Sequence, residues 1–305
     1  MVRSFLRDTD LTPAEAAEVF ELAHRYKKLR PAGVLDGQSW GLVFFKKSTR
    51  TRLSFEAGIY ELGGNPMVLQ ADDLQISRGE TVEDTAKIFG RFLHGIVIRT
   101  FGQDMVDSFA KYSGLPVINA LTDLLHPCQS YTDMFTMIEH FGKGSENPEC
   151  IRGKKFAFFG DTACNMAYSL ALAGSMFGVE VVLCGPEEFR PKAELDALFD
   201  AANLKKSYTF TSDPREAAKG ADVFYTDVWV SMGKEDEKAE RIKTMSPYQV
   251  NEKLVELGAK DSIFMHCLPA HAGEEVSEGV LRSDKSIVFD QAENRLHVQK
   301  AIVSW

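Results

Sequence analysis

Gly41-Leu42-Val43-Phe44-Phe45-Lys46-Lys47-Ser48-Thr49-Arg50-Thr51-Arg52 is the most informative stretch of the chain, because an apolar run ends in cations and hydroxyls just before a helical pattern. Residues 41–45 read as a strand, and the hydroxyls that follow read as the cap of a helix. A strand that passes through a short polar turn into a helix is half of a parallel βα unit. The turn also suits an anion. Backbone N–H groups at a helix start point at the ligand, the helix dipole favours negative charge, and Arg50 adds charge-assisted hydrogen bonds. A solvated basic strand end with an N-cap would use the same residues, so this segment alone leaves both readings open.

The rhythm of strand and helix continues on both sides of the turn. Upstream, Thr12-Pro13-Ala14-Glu15 is a capping box, with Pro13 the first helical residue and Glu15 reaching back to Thr12, which predicts a helix to about Lys28. Downstream, 96–99 and 116–119 read as strands, and 83–92 and 104–112 as helices. Residues 139–152 then contain Gly142-Lys143-Gly144-Ser145 and Asn147-Pro148, the clearest linker-like shift in composition. Beyond them the alternation restarts, with strands over 155–159, 179–183, 223–225, 263–266 and 287–289 and a helix over 165–177. The expected fold is α/β, with two similar-sized domains, each a parallel sheet flanked by helices. The first domain spans 1–141 and the second 149–284, leaving a C-terminal segment, 285–305. No short-period repeat or low-complexity stretch interrupts the pattern, which sets aside solenoids and disordered tethers.

Composition narrows the classes of function. A chain of 305 residues, 44% of them hydrophobic, can bury two cores of ordinary domain size. Its formal charge of -9 argues against a nucleic-acid partner, because phosphate neutralisation needs a basic face. Met1-Val2-Arg3-Ser4-Phe5 lacks the apolar run of a signal peptide. No stretch approaches the roughly 20 apolar residues of a membrane span, so a cytoplasmic protein with no membrane partner is expected. Cys128, Cys150, Cys164, Cys184 and Cys267 form no CxxC pair, and their odd number predicts free thiols with neither disulfides nor zinc. No cofactor is expected.

Further segments put reactive side chains at strand ends, the edge where open α/β sheets bind ligands. The strand at 96–98 ends in Arg99-Thr100, a second cation at such an edge. His126-Pro127-Cys128-Gln129 follows the strand and loop of 116–125 and opens a helix. A lone histidine is more often a structural hydrogen-bonding group than a catalyst; beside two arginine-bearing strand ends, His126 becomes a candidate partner for a carbonyl oxygen. In the second half, the strand from Asp222 leads into a loop whose Asp227 reads either as a turn residue or as the carboxylate that holds a substrate ammonium group. The mixed charge run 234–238 is ordinarily a solvated face, and next to Gly233 it is also a candidate lid. Phe264-Met265-His266-Cys267-Leu268-Pro269-Ala270-His271 ends a strand with one thiol and two imidazoles, whose spacing does not support zinc.

Together, Ser48-Thr49-Arg50-Thr51-Arg52, His126-Pro127-Cys128-Gln129 and His266-Cys267-Leu268-Pro269, in this order and with these separations, resemble the carbamoyl phosphate signature of the transcarbamylases. One such motif is weak; several in register across most of the chain are specific. Asp227 with Ser231-Met232-Gly233 is similar to the ornithine branch of that family rather than the aspartate branch. So is Cys267, where aspartate enzymes usually carry proline, and so is Ala292-Glu293-Asn294-Arg295. Gly160-Asp161-Thr162-Ala163-Cys164-Asn165 departs from the ornithine branch, which often shows a second glycine and a second asparagine there; Asn165 is retained.

The resemblance implies a carbamoyl-group transferase that acts on carbamoyl phosphate and L-ornithine. It implies that Ser48, Thr49, Arg50 and Thr51 hold the phosphate together with Arg99. Gln75 would reach carbamoyl phosphate across a subunit interface, which implies a homotrimer, or a multiple of trimers, with shared active sites. His126 and Gln129 would address the carbamoyl oxygen and amide, with Cys267 and Leu268 completing the amide contacts. Arg295 would add to this pocket from a C-terminal helix packed back on the first domain, while Asn165, Asp227, Ser231 and Met232 would bind ornithine. The catalytic set is then Arg99, His126, Asp227 and Cys267. The first two, with Thr51, stabilise the oxyanion; the last two orient the neutral amine, Cys267 as a positioning group and not a nucleophile. Rival acceptors are putrescine and N-acylated ornithine, against which the Ser231-Met232-Gly233 loop argues. A non-catalytic sensor of carbamoyl phosphate or ornithine is disfavoured by the filled catalytic positions. A dinucleotide-binding oxidoreductase, suggested by the strand, glycine and helix of 156–177, lacks GxGxxG.

Overall fold

The computed structural model describes residues 2–29, 33–230 and 238–305, the side chain of Lys238 excepted. The chain divides into two compact units, one of Met1–Phe135 with Glu293–Trp305 and one of Thr136–Ala292. The first is built on β1 (Ser39–Phe44), β2 (Asn65–Gln70), β3 (Gly95–Arg99) and β4 (Val117–Leu121), in the order β2-β1-β3-β4. The second holds β5 (Lys155–Phe159), β6 (Glu180–Cys184), β7 (Thr209–Thr211), β8 (Val223–Thr226) and β9 (Ile263–His266), in the order β7-β6-β5-β8-β9.

All the strand pairings are parallel, so each connection must cross over the sheet, and helices make most of the crossings. In the first unit, Thr49–Glu61 joins β1 to β2, Val82–Phe92 joins β2 to β3, and Gln103–Ser113 joins β3 to β4. The capping box is formed as the sequence predicts: Thr12 N–H donates to Glu15 Oε2 at 2.9 Å, Glu15 N–H donates to Thr12 Oγ1 at 3.3 Å, and the helix runs Pro13–Lys28. Central strands are buried along their length, as covered parallel sheets require, and edge strand β2 is not. The first core gathers Val43, Ile96, Ile98, Val106, Phe109 and Val117; the second gathers Ala157, Phe159, Phe224, Val255, Phe264 and Val288.

The strand orders place the candidate site. From β1 the chain moves to β2 on one side and then returns to β3 on the other, so the strand order reverses between β1 and β3. The second sheet's order reverses between β5 and β8. Such switch points open a crevice beyond the carboxyl ends of the strands. The registers are level there. Phe44 pairs Arg99 in the first sheet, and Phe159 pairs Thr226, which pairs His266, in the second. Lys46 to Thr51 and Arg99 therefore gather at one edge of the first unit, and Gly160, Asp227 and Cys267 at one edge of the second.

One expected element is corrected. Residues 287–289 do not form a strand: a single bridge joins Phe264 to Ser286, and Val288 begins the helix Val288–Ser304. The sheet stops there because Phe264 takes both available hydrogen bonds, to Lys285 O and from Ile287 N–H, before the chain turns helical. Strands β2 and β7 had no counterpart in the sequence reading. The candidate lid of 234–238 lies outside the described residues, apart from the backbone of Lys238.

Candidate active site

In the first unit, the turn after β1 becomes a helix start. Ser48 is extended, at φ -162°, and its hydroxyl accepts the Thr51 N–H at 3.3 Å, capping the helix Thr49–Glu61. No acidic residue lies in that helix's first turn. The same is true of the helices Pro127–Phe141 and Asn165–Phe177, which begin at the other expected site segments. Among the described residues, every other α-helix carries a carboxylate in its first turn. Acids there stabilise a helix by complementing its dipole, so these three uncompensated starts, each in its own segment, leave positive ends suited to anions.

Behind that start, two buried guanidinium groups converge on one hydroxyl. Arg295 Nη2 donates to Thr51 Oγ1 at 2.7 Å, and Arg99 Nη1 approaches the same oxygen at 3.4 Å. Arg295 Nη1 donates to Gln129 Oε1 at 2.9 Å, and Gln129 Nε2 donates to Asp133 Oδ1 at 2.8 Å. The chain thus brings together Thr51, Arg99, Gln129 and Arg295. His126 is buried beside them. Burial, then the Arg295 charge, then the Arg99 charge, holds its imidazole well below the ordinary histidine range. A neutral His126 offers an N–H to a carbonyl oxygen without adding a third cation. Arg50 is half-buried at the helix start and has no ion pair among the described residues. Gln75 stands apart. It is exposed, in the short 3-10 turn Gln75–Arg78, with no side-chain hydrogen bond to this group among the described residues.

The second unit assembles a different chemistry. Asp227, one step beyond β8, accepts the Cys267 thiol on Oδ1 at 3.0 Å and the Val228 N–H on the same oxygen at 2.8 Å. Cys267 lies one step beyond β9 and is followed by Leu268, at φ 58°, with a cis peptide bond to Pro269. Asn165 is the first residue of the helix Asn165–Phe177. Ser231 and Met232 lie outside the described residues. Sequence reasoning missed Arg241. This nearly buried cation donates to Asp161 Oδ2 at 2.5 Å and to the Trp229 carbonyl at 2.9 Å, tying the loops after β5 and β8 to the helix Lys238–Met245. Asp133 was missed too, though it lies one helical turn from Gln129.

Two groups have metal-ligand composition. Asp227, His266 and Cys267 bring ligand atoms within 4.8 Å of one another, as do His271, Glu274 and Glu275. In the first group the thiol is spent on Asp227, and His266 Nδ1 accepts the Leu268 N–H at 2.8 Å, so two of its three donors are already engaged within the protein.

Comparison with known proteins agrees over the whole length. Residues 3–139 match the carbamoyl-P binding domain of aspartate/ornithine carbamoyltransferase, and residues 152–305 match its Asp/Orn binding domain. The chain is 45% identical to an ornithine carbamoyltransferase of Thermococcus kodakarensis, covering 99% of this chain and 94% of that one. It is 46% identical to one of Oceanobacillus iheyensis, covering 99% and 93%. Its fold is similar to the solved ornithine carbamoyltransferase of Pyrococcus furiosus, with a TM-score of 0.90 and 42% identity over 99% of this chain and 96% of that one. Both family domains are therefore present in order, and the likeness in sequence and in fold spans nearly the whole length: the chain belongs to the aspartate/ornithine carbamoyltransferase family.

Proposed function

We propose that this enzyme transfers the carbamoyl group of carbamoyl phosphate to the side-chain amine of L-ornithine, giving L-citrulline and phosphate. The observation that carries the reading is the pair of buried guanidinium groups, Arg99 and Arg295, converging on Thr51 behind an acid-free helix start. A neutral amine attacks the carbonyl carbon, negative charge builds on the carbonyl oxygen, and the C–O bond to phosphate then breaks as charge moves onto the leaving phosphate, which carries away the proton that the nitrogen sheds. Arg99, the Thr51 hydroxyl and neutral His126 serve the oxygen; Ser48, Thr49, Arg50 and the helix start serve the phosphate; Gln129, set by Arg295 and Asp133, serves the amide with Cys267 and Leu268. A preorganised cationic site needs no reorganisation as the charge appears, and burial strengthens each interaction relative to water.

Ornithine arrives protonated at its side chain, as a lysine-like amine does, and must lose that proton to attack. Asp227 and the Cys267 thiol that it holds orient the neutral amine, while Asn165, Ser231 and Met232 take the α-carboxylate and α-amino end. The dependence on deprotonation makes activity rise from neutral toward mildly alkaline pH.

The working unit in this reading is a homotrimer or a multiple of trimers. Met67 on edge strand β2 and Tyr60 on the helix packed against that strand are large apolar side chains left exposed, as at an association face. Gln75 is exposed in the β2 to β3 connection, where it can serve a neighbouring copy's donor site. No helix among the described residues is long and apolar enough to cross a membrane. All five cysteines are free thiols, which suits a reducing cytoplasm. The test is citrulline release from carbamoyl phosphate with ornithine, putrescine, N-acetylornithine and aspartate as acceptors. Turnover with ornithine alone is expected; turnover favouring any other acceptor, or none, overturns the assignment.

A further inference from the structure

The turn that carries Cys267 and Leu268 is held from behind by a histidine whose far side meets a buried carboxylate. His266 and Glu275 are both fully buried. The His266 main-chain N–H donates to Gln291 Oε1 at 2.9 Å, which fixes the end of β9. Its ring Nδ1 accepts the Leu268 N–H at 2.8 Å. Leu268 lies in the left-handed region, at φ 58°, which a residue with a side chain keeps only where its neighbours over-determine it. An accepting Nδ1 leaves the proton of the neutral ring on Nε2. That nitrogen lies 3.2 Å from Glu275 Oε1, and the same oxygen accepts the His271 N–H at 2.5 Å. The approach of ring to carboxylate is close in distance but outside straight hydrogen-bond geometry, so the oxygen acts as a near acceptor facing Nε2. A carboxylate in so dry a place persists only if donors face it; among the described residues these are the His266 ring and the His271 main chain, with the His271 Nδ1 3.8 Å from Glu275 Oε2.

We propose that Glu275 is a positioning residue for carbamoyl transfer, acting through His266. The carboxylate holds the ring in its Nε2–H form; Nδ1 then holds the Leu268 amide, and with it the Cys267 thiol, whose Sγ lies 3.0 Å from Asp227. Neither Glu275 nor His266 touches substrate in this arrangement, which rests on the carbamoyl-transfer reading and extends it to the support of its acceptor side. The role asks only for an acceptor facing Nε2, so an amide oxygen serves where an alkyl group does not.

The experiment pairs kinetics with nitrogen NMR of protein labelled at its seven histidines, the His266 signals being those lost in His266→Asn. Glu275→Gln is expected to keep both the ring signature of an unprotonated Nδ1 and near-wild-type kcat/KM for ornithine. Glu275→Leu is expected to lose that signature and to lower kcat/KM for ornithine by on the order of tenfold to a hundredfold, the scale seen for outer-shell partners of ligating histidines. The KM for carbamoyl phosphate is expected to change much less. Glu275→Asp keeps the charge but draws it back by one methylene, and it is expected to fall between the two, which keeps the test alive if the leucine variant does not fold. An unaltered His266 signature and rate in the leucine or aspartate variant overturns the proposal. So does a glutamine variant as impaired as the leucine one. The ring signature is read on resting protein, so it tests the dyad even if the wild type shows no carbamoyl transfer, an outcome that would sink the functional reading instead.

Discussion

The two units use the same architecture, strand ends at a switch point, with opposite electrical content. The first unit offers buried guanidinium groups around a hydroxyl and an acid-free helix start. The second offers Asp227 with a thiol, and an Asp161 already matched by Arg241. The contrast fits a doubly anionic donor on one side and an ammonium-bearing acceptor on the other. One feature crosses it: the helix at Asn165 also lacks a first-turn acid. An amino acid brings a carboxylate as well as its amines, so that helix start suits the acceptor's negative end.

The largest effect that would break this contrast comes from the donor side. Arg99→Ala is expected to lower kcat by roughly a hundredfold to a thousandfold, the usual cost of one oxyanion donor, while the fold survives. Steady-state kinetics beside a thermal melt checks this; a loss below tenfold contradicts it. Asp227→Asn sharpens the other side. It is expected to raise the KM for ornithine by about tenfold to a hundredfold, the value of a hydrogen bond to a charged group, with the affinity for carbamoyl phosphate little changed. An equal effect on both substrates would erase the division of labour.

A smaller effect concerns stability against pH. His126 is held below its ordinary range by burial and then by the two arginines, and burial also lowers His140 and His297. In the unfolded chain these imidazoles titrate near 6.5. Below that pH the unfolded chain binds protons that the folded chain refuses, so stability present above it is lost as pH falls. Urea midpoints from pH 7.5 down to about 5.5 should decline, and less steeply in His126→Asn; equal slopes would remove His126 from the account. The smallest effect is the most specific. Thr49→Glu restores the missing first-turn acid and is expected to stabilise the protein by about 0.3–1 kcal/mol while weakening carbamoyl phosphate binding. A variant that gains stability and keeps its donor affinity would show that the acid-free start is incidental.

Much of this was legible in the sequence, for identifiable reasons. The strand-to-helix rhythm was readable because central parallel strands are continuous apolar runs, as in Gly41 to Phe45, and because Thr12 and Glu15 form a strictly local cap. Strand β2 escaped because Asn65-Pro66 reads as a turn and leaves only the short apolar run Met67-Val68-Leu69 before polar Gln70. Ile287-Val288-Phe289 misled because β-branched and aromatic residues fit a pleated surface, yet the helix Val288–Ser304 takes Val288 and Phe289. The cations at strand ends were visible one by one; their convergence on Thr51 was not, since Arg295 comes from 244 residues away. Arg241 was illegible for the same cause: it pairs with Asp161, 80 residues away, through a contact that only the folded backbone sets.

The central claim, that the first unit's arginines and helix start form a cradle for a phosphorylated donor, is met most directly by calorimetric titration of carbamoyl phosphate into the purified protein. Saturable binding is predicted for the wild type and for Asp227→Asn, with binding lost or strongly weakened in Arg99→Ala and Arg50→Ala. Absence of binding heat with folded wild-type protein, or binding indifferent to both arginine substitutions, would contradict it.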